Sequence, residues 1–446
     1  MFRTSFFQRF VRTEAAGGAV LLACAAIALV IANSPWAAAY HHFWQIPVSI
    51  GVGGHALTLT IHQWINDGLM AIFFLVVGLE IKREAVAGEL ASTRQAVLPV
   101  AAAIGGIAVP AAIYLLVTGG GEAAKGWAIP IATDIAFALG TLALVAPHAP
   151  TGMKVFLTAL AIVDDIGAVL VIALFYTGAI ASGPLAMAGL VLLILIGMSA
   201  LKVHRLTPYL LAGAALWFFT HESGIHATIA GVALAFTIPT RTKIDAPEFS
   251  GAARQLIDDF DRTETGDFLV LTSKGQQEAL TGLAHLSESV TAPLLRLEHA
   301  LHQASAWFVM PLFALSNAGV TLHGSAGYGV SLAVVLGLVI GKPLGIAGAA
   351  FAAIRSGAAA EPQQVTRRAF IGCACVGGIG FTMSLFIANL AFEGTRYLDA
   401  AKIGVLAGSA VAGAIGAMLL KRSRDGALHV AGPRRAGPTP PAGRDG

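Results

Sequence analysis

Apolar residues run along this chain in long blocks separated by short polar connections. The blocks fall at 15–33, 62–81, 95–117, 127–146, 153–177, 182–201, 207–220, 224–239, 305–320, 328–354, 368–391 and 402–420. An α-helix needs roughly 17–25 apolar residues to cross the hydrocarbon core. The pattern therefore predicts an all-α polytopic membrane protein of about twelve transmembrane helices. The seventh and eighth blocks are short and only Ser223-Gly224 separates them, which predicts a tight helical hairpin. One stretch, within 45–61, alternates apolar and polar residues around Gly53-Gly54 and predicts a small outer β-hairpin. Two strands alone are marginally stable in water, so this hairpin is expected to pair with a second copy in a homodimer.

Composition sharpens the class. Of 446 residues, 56% are hydrophobic and 12% charged, about half the charge of a soluble domain. The net charge of +3 is small and its placement matters more than its sum; the expected partner is the lipid bilayer, not nucleic acid. Lys and Arg sit in alternate connections: Arg3, Arg9 and Arg12, then Lys82, Arg83 and Arg94, then Lys202, Arg205, Arg241 and Lys243, then Arg355, Arg367 and Arg368, then Lys421, Arg422 and Arg424. The 34–61 connection has none, and Lys125 and Arg396 are the exceptions. By the positive-inside rule both termini are cytoplasmic. The N-terminal block could be a signal peptide, but 15–33 exceeds the usual length of about 7–15 apolar residues, so a retained helix is expected. Cys24, Cys373 and Cys375 lie in apolar runs and read as packing residues. A membrane domain over 1–423 then includes a polar cytoplasmic insert at 241–291, with some amphipathic helix. The Pro/Gly/Arg-rich stretch 424–446 reads as a disordered tail.

The chemistry lies in charges inside the apolar blocks. Asp164 and Asp165 occupy the middle of 153–177, where each charge costs about 2.5–3.5 kcal/mol on insertion scales. Adjacent residues are about 100° apart on a helix, so the two face different surroundings. Gly167 and Ala168 beyond them allow close approach of a neighbour. Thr133 and Asp134 follow Pro130, where a broken helix is expected. Gly377-Gly378-Ile379-Gly380 interrupts the eleventh block in the same way. Both interruptions fall in the second helix of a triplet, which suggests a repeat from position alone. Lys342, in Gly341-Lys342-Pro343, lies inside the tenth block and needs a carboxylate, Asp164 or Asp165. A phosphate-binding loop is excluded there because Pro343 stands where Ser or Thr is required. Carboxylates at such a site hold protons or a hard cation such as Na+ or Li+, one excluding the other. That predicts an exchanger and a transporter rather than an enzyme, with no cofactor. A sodium-coupled solute symporter would use similar broken helices. An intramembrane aspartyl protease would pair Asp134 with Asp165 and leave Lys342 idle.

The chain resembles the NhaA-type sodium/proton antiporters. The resemblance rests on Phe73–Glu84, Gly126–Pro130, Ala132–Gly140, Leu160–Gly167, Gly224–Thr228, Arg296–His299, Ile340–Gly345 and Gly378–Ser384. It covers nearly the whole membrane part in order, leaving the 241–291 insert and the tail outside. That family is itself among those behind the rule linking paired helix breaks to a midplane site. The resemblance implies an inverted repeat whose two broken helices cross at the midplane, with Asp164 and Asp165 binding Na+, Li+ or H+. It places Thr133 and Asp134 at the crossing and Lys342 against Asp164, leaving Asp165 to the cavity. It matches Asp67 to an acidic position near the start of the second span. It implies pH-response roles for Glu80, Arg83, Glu84, His226, Glu298, His299 and His302. Electrogenic export across a bacterial inner membrane, by a dimer joined partly through the hairpin, is the activity it implies.

Overall fold

The computed structural model describes residues 6–52, 55–262, 273–321, 327–360 and 365–430. Its elements run α1 (Phe6–Ala32), α2 (Ala37–Trp44), β1 (Pro47–Val52), β2 (His55–Thr60), α3 (Ile61–Ala87), α4 (Thr93–Thr118), α5 (Glu122–Ile131, a 3-10 helix) and α6 (Ile135–Val145). They continue with α7 (Thr151–Phe175), α8 (Ser182–Ala200), α9 (Leu206–Glu222), α10 (Thr228–Thr237), α11 (Ala246–Arg262), α12 (Lys274–Val290) and α13 (293–317). The last four are α14 (Tyr328–Arg355), α15 (Arg367–Val376), α16 (Phe381–Phe392) and α17 (Leu398–Val430).

Six of these helices are long and apolar enough to cross a membrane: α3, α4, α7, α8, α14 and the 398–422 part of α17. Three bent pairs pass the same test jointly: α1 with α2 at 118°, α5 with α6 at 43°, and α15 with α16 at 42°, giving up to nine crossings. This is a multi-pass membrane protein. Helices also occupy the three remaining apolar blocks. There α9 and α10 have 17 and 10 residues, and the first turns of α13 are amphipathic. Leu190, Leu193, Ile194 and Ile196 on α8 are half exposed or more, a face suited to lipid rather than water.

Several boundaries differ from the apolar pattern. Helix α1 starts at Phe6, well before the apolar block. The fourth block breaks at Ala132–Asp134 rather than at Pro130, because Pro130 is accommodated in the 3-10 turns of α5. Helix α17 runs to Val430, past the composition boundary at 424; the rest of the tail lies outside the described residues. In the 241–291 insert, α11 and α12 pack on each other, while 263–272 also lies outside. The hairpin pairs Pro47 with Thr60 through Gly51 with Ala56. Its Gly53-Gly54 tip lies outside the described residues.

The core gathers around the α5/α6 and α15/α16 pairs, flanked by α4, α7, α14 and α17. A second cluster joins α3 to α8, α9 and α10 through Leu75, Leu79, Leu195, Tyr209 and Leu234. Backbone crossings of small residues set the spacing. On α4, a Cβ at Gly105 would strike the Gly345 carbonyl and Ala349 of α14, and one at Gly345 would strike the Gly105 carbonyl. A Cβ at Gly106 would lie 3.5 Å from Lys342 Nζ. This crossing thus fixes where Lys342 enters the core. Gly345→Val should lower stability by about 1–3 kcal/mol, as overpacking does. Gly348→Ala, where no neighbouring atom lies within 4 Å, should be neutral or stabilising. Thermal unfolding of the purified protein in detergent checks the pair; equal melting temperatures would contradict the crossing.

Candidate functional site

The two breaks meet. After α5 the chain is extended through Ala132 and Asp134, and this segment lies against residues 377–382 of the other pair. Asp134 N–H donates to the Ile379 carbonyl at 2.7 Å. One Asp134 oxygen accepts from Phe137 N–H at 3.1 Å, and the other accepts from Thr382 N–H at 3.1 Å and from its hydroxyl. A single carboxylate therefore caps the N-termini of both half-helices, α6 and α16, whose partial positive charges converge there. Ser384 Oγ donates to the Ile129 carbonyl at 2.7 Å, satisfying an end of α5.

The glycines of the second break serve close packing. None of Gly377, Gly378 and Gly380 has a positive φ. A Cβ at Gly378 would strike the Leu338 carbonyl, and one at Gly380 would strike Ser384 Oγ and lie 3.0 Å from the Ala132 carbonyl. Glycine is required because two backbones touch, more than because the helix must unwind.

Beside the crossing, α7 carries Asp164 and Asp165, each 1% exposed. Asp164 Oδ2 pairs with Lys342 Nζ, both fully buried. Thr133 Oγ1 lies 2.7 Å from Asp164 Oδ2 and also 2.7 Å from the Gly377 carbonyl. Its one hydroxyl proton serves one of these acceptors at a time. Lys342 follows a π-helical turn at Gly337–Gly341, a local distortion common at functional positions. Asp165 points the other way. It lines a cavity of about 320 Å³ together with Thr133, Asp134, Glu80, Glu298 and His302. Its Oδ1 has no hydrogen-bond partner among the described residues. The helical rotation between adjacent residues thus sends one carboxylate to the lysine and the other to the cavity.

Titratable groups surround the far mouth of this cavity. Arg83 bridges Glu298 and Glu84, the latter at 3.2 Å. His302 Nδ1 lies 3.6 Å from Glu80, and His299 lines the same space. Glu298 precedes the apolar part of α13. Burial pushes its carboxyl up to about 7, against the pull of Arg83, and the Glu80 charge adds to the rise. The cluster of Glu80, Arg83, Glu84, Glu298, His299 and His302 is therefore one place in space. His226 is elsewhere: its Nε2 meets the Tyr176 carbonyl, and it lines a different cavity with Asp67.

Sequence reasoning passed over Thr382 and Ser384 as contributors, although both stand in a quoted motif. It also missed a buried amide group formed by Asn66, Asn317 and Asn389, with His62 against it. Asparagine inside apolar blocks was the available signal.

Half-helices meeting end to end at charged groups inside a membrane protein define the class of secondary transporters with discontinuous helices. Residues 8–420 match the sequence model of the family described as Na+/H+ antiporter 1, and the chain belongs to that family. It is 48% identical over 419 residues, 93% of each chain, to the Na(+)/H(+) antiporter NhaA of Oleidesulfovibrio alaskensis. It is 49% identical to that of Koribacter versatilis, over 93% of this chain and 91% of the relative. With the Na(+)/H(+) antiporter NhaA 2 of Syntrophotalea carbinolica it shares 45%, over 96% of this chain and all of the relative.

The buried pair makes a stability prediction. Lys342→Met leaves Asp164 without its cation and should cost about 3–5 kcal/mol, as loss of one partner of a buried pair does. Adding Asp164→Asn should recover most of that loss. Thermal melts of wild type, single and double variants measure the coupling; strictly additive effects would mean the two side chains do not act together.

Proposed function

We propose that the chain exports Na+ or Li+ in exchange for H+ by alternating access at the Asp164–Asp165 pair. The observation that carries this reading is the division of the pair: Asp164 is neutralised by Lys342 while Asp165 faces a cavity. A buried carboxylate without a fixed cation must take a proton or a mobile cation, and the two compete for the same oxygens. Thr133 Oγ1 and Asp164 stand beside Asp165 as further oxygen donors for a hard ion. An arriving cation that drew Asp164 away from Lys342 would leave a buried ammonium without its carboxylate and favour its release of a proton; with the proton displaced from Asp165, two protons then leave for each cation bound and exchange is electrogenic. Family membership and the names of the relatives support antiport, and neither solute symport nor peptide cleavage.

The same reading includes about twelve spans, counting α9, α10 and α13. It also includes an inverted repeat, supported by the similar bends of 43° and 42° in the two broken pairs. The basic connections give an inner-membrane orientation with both termini cytoplasmic, so the Glu80–Glu298 mouth is the inner one. Dimerisation through the 45–61 hairpin is supported by its being a sheet of two strands among the described residues and by exposed Ile50.

Inverted vesicles with an acidified interior test the activity. Added Na+ or Li+ should dissipate the proton gradient. Asp165→Asn should abolish the response, and an unchanged response in that variant would refute the site.

The inner mouth predicts pH dependence. Burial raises the Glu298 pKa to about 7 in the folded protein, so the group is neutral below that pH and anionic, and able to hold Arg83, above it. Its pairing is lost as pH falls through that value. Antiport should therefore change steeply within about one unit of the Glu298 pKa. Glu298→Gln should flatten that part of the profile. A variant profile superimposing on wild type would remove Glu298 from pH response.

A further inference from the structure

A second cavity, of about 210 Å³, opens on the other side of the crossing. Both cavities border α16. Thr382 and Met383 line the first, and Phe386, Asn389 and Leu390, with Glu393 just past the helix end, line the second. Phe386 is 1% exposed and packs against Phe74 and Phe313 between them.

The polar wall of this second cavity is built around one buried amide. Asn389 is 5% exposed. Its Nδ2 donates to Asn317 Oδ1 at 2.6 Å and to the Leu385 carbonyl at 3.0 Å, which uses both amide protons. Flipping the amide would set its oxygen against the Leu385 carbonyl, so the orientation is fixed. Asn389 lines the cavity, and its Oδ1 has no hydrogen-bond partner among the described residues. Asn317 is itself tied by donation to Asn66 Oδ1 at 2.9 Å and by contact with His62 Nε2 at 3.1 Å. The oxygen is thus held in place by three helices.

Carboxylates complete the wall. Asp67 lies 3.8 Å from His221 Nδ1, and Glu393 is near enough to act on Asp67 through space. Donation from Trp217 Nε1 to the Asp67 carbonyl at 2.8 Å anchors its backbone. An unpaired buried acceptor, facing a space that also holds two carboxylates, asks for a positive ligand. Carboxylate and amide oxygens select a hard cation.

We infer that this outer cavity is a second binding site for Na+ or Li+, liganded by Asp67 and Asn389 Oδ1, with Glu393 drawing the cation to its mouth. It deepens the antiport reading and rests on it for the identity of the ion. The site captures the cation on the hairpin side, where it leaves or re-enters the protein, and lies outside the Asp164–Asp165 centre.

Two measurements on the full chain test it. In right-side-out and inverted vesicles, Glu393→Gln should raise the KM for Na+ at the outer face about two- to fivefold relative to the KM at the inner face, the range for partly exposed charges. In purified Asp165→Asn protein, saturable broadening of the 23Na resonance by added Na+ should persist, and adding Asn389→Val or Asp67→Asn should remove it. An unchanged ratio of the two KM values overturns the inference, as does broadening that these replacements leave intact or that is absent in Asp165→Asn. The last result would mean that the cavity holds water only. Absence of exchange from both faces in wild type would instead defeat the antiport reading, and the 23Na measurement would still report on the outer site.

Discussion

A charge buried in a membrane protein must be neutralised, and here the neutralisation stops one unit short. Lys342 and Asp164 settle each other with no exposed surface on either side chain. Removing either partner of such a pair leaves the other stranded, which is why buried pairs are costly to break even when they add little net stability. Asp165, on the next residue of the same helix, has no such ion-pair partner among the described residues. In the proposed antiport, its balance comes from the cavity it faces, as a proton or a small cation. On that reading the deficit itself drives exchange.

The deficit is useful only because the backbone beside it is broken and yet satisfied. Unpaired peptide groups are not tolerated in lipid, but they can be where protein covers them. Asp134 satisfies two helix N-termini with one carboxylate, and Thr133 stands between a freed carbonyl and Asp164. These bonds need the two chains closer than side chains allow, which makes Gly378 and Gly380 steric requirements. The Gly105–Gly345 crossing plays the same part for Lys342. Charge pairing, capping and glycine contact are thus one arrangement seen at three scales.

Much of this was legible in the sequence, because expensive features announce themselves. Two aspartates, a lysine and a glycine cluster inside apolar blocks have few cheap explanations, and the helix positions follow from block lengths alone. The location of the first break was less legible. Proline suggests where a helix fails, but 3-10 turns absorbed Pro130 and moved the break to residues 132–134. Also hidden were the π turns at Trp64–Leu69, Ser305–Val309 and Gly337–Gly341, since one extra residue in a turn leaves hydrophobic periodicity almost unchanged. The Asn66–Asn317–Asn389 group could not be read because its members lie on three separate blocks. Only folding gives them a shared identity.

Placement along α16 ties the two cavities to one half-helix. Met383 borders the first cavity and Phe386 the second, so the wall between them is about one helical turn thick, roughly 5 Å. That turn belongs to a half-helix whose N-terminus is held by Asp134 and whose connection to α15 is the glycine segment 377–380. The bonds at Asp134 respond to charge at the crossing, because the same segment carries Thr133, which contacts Asp164. Under the proposed antiport, a cation that reaches Asp164 acts through Thr133 on the segment that anchors the helix between the two cavities, and that short path of hydrogen bonds would couple ion binding to the exposure of the site.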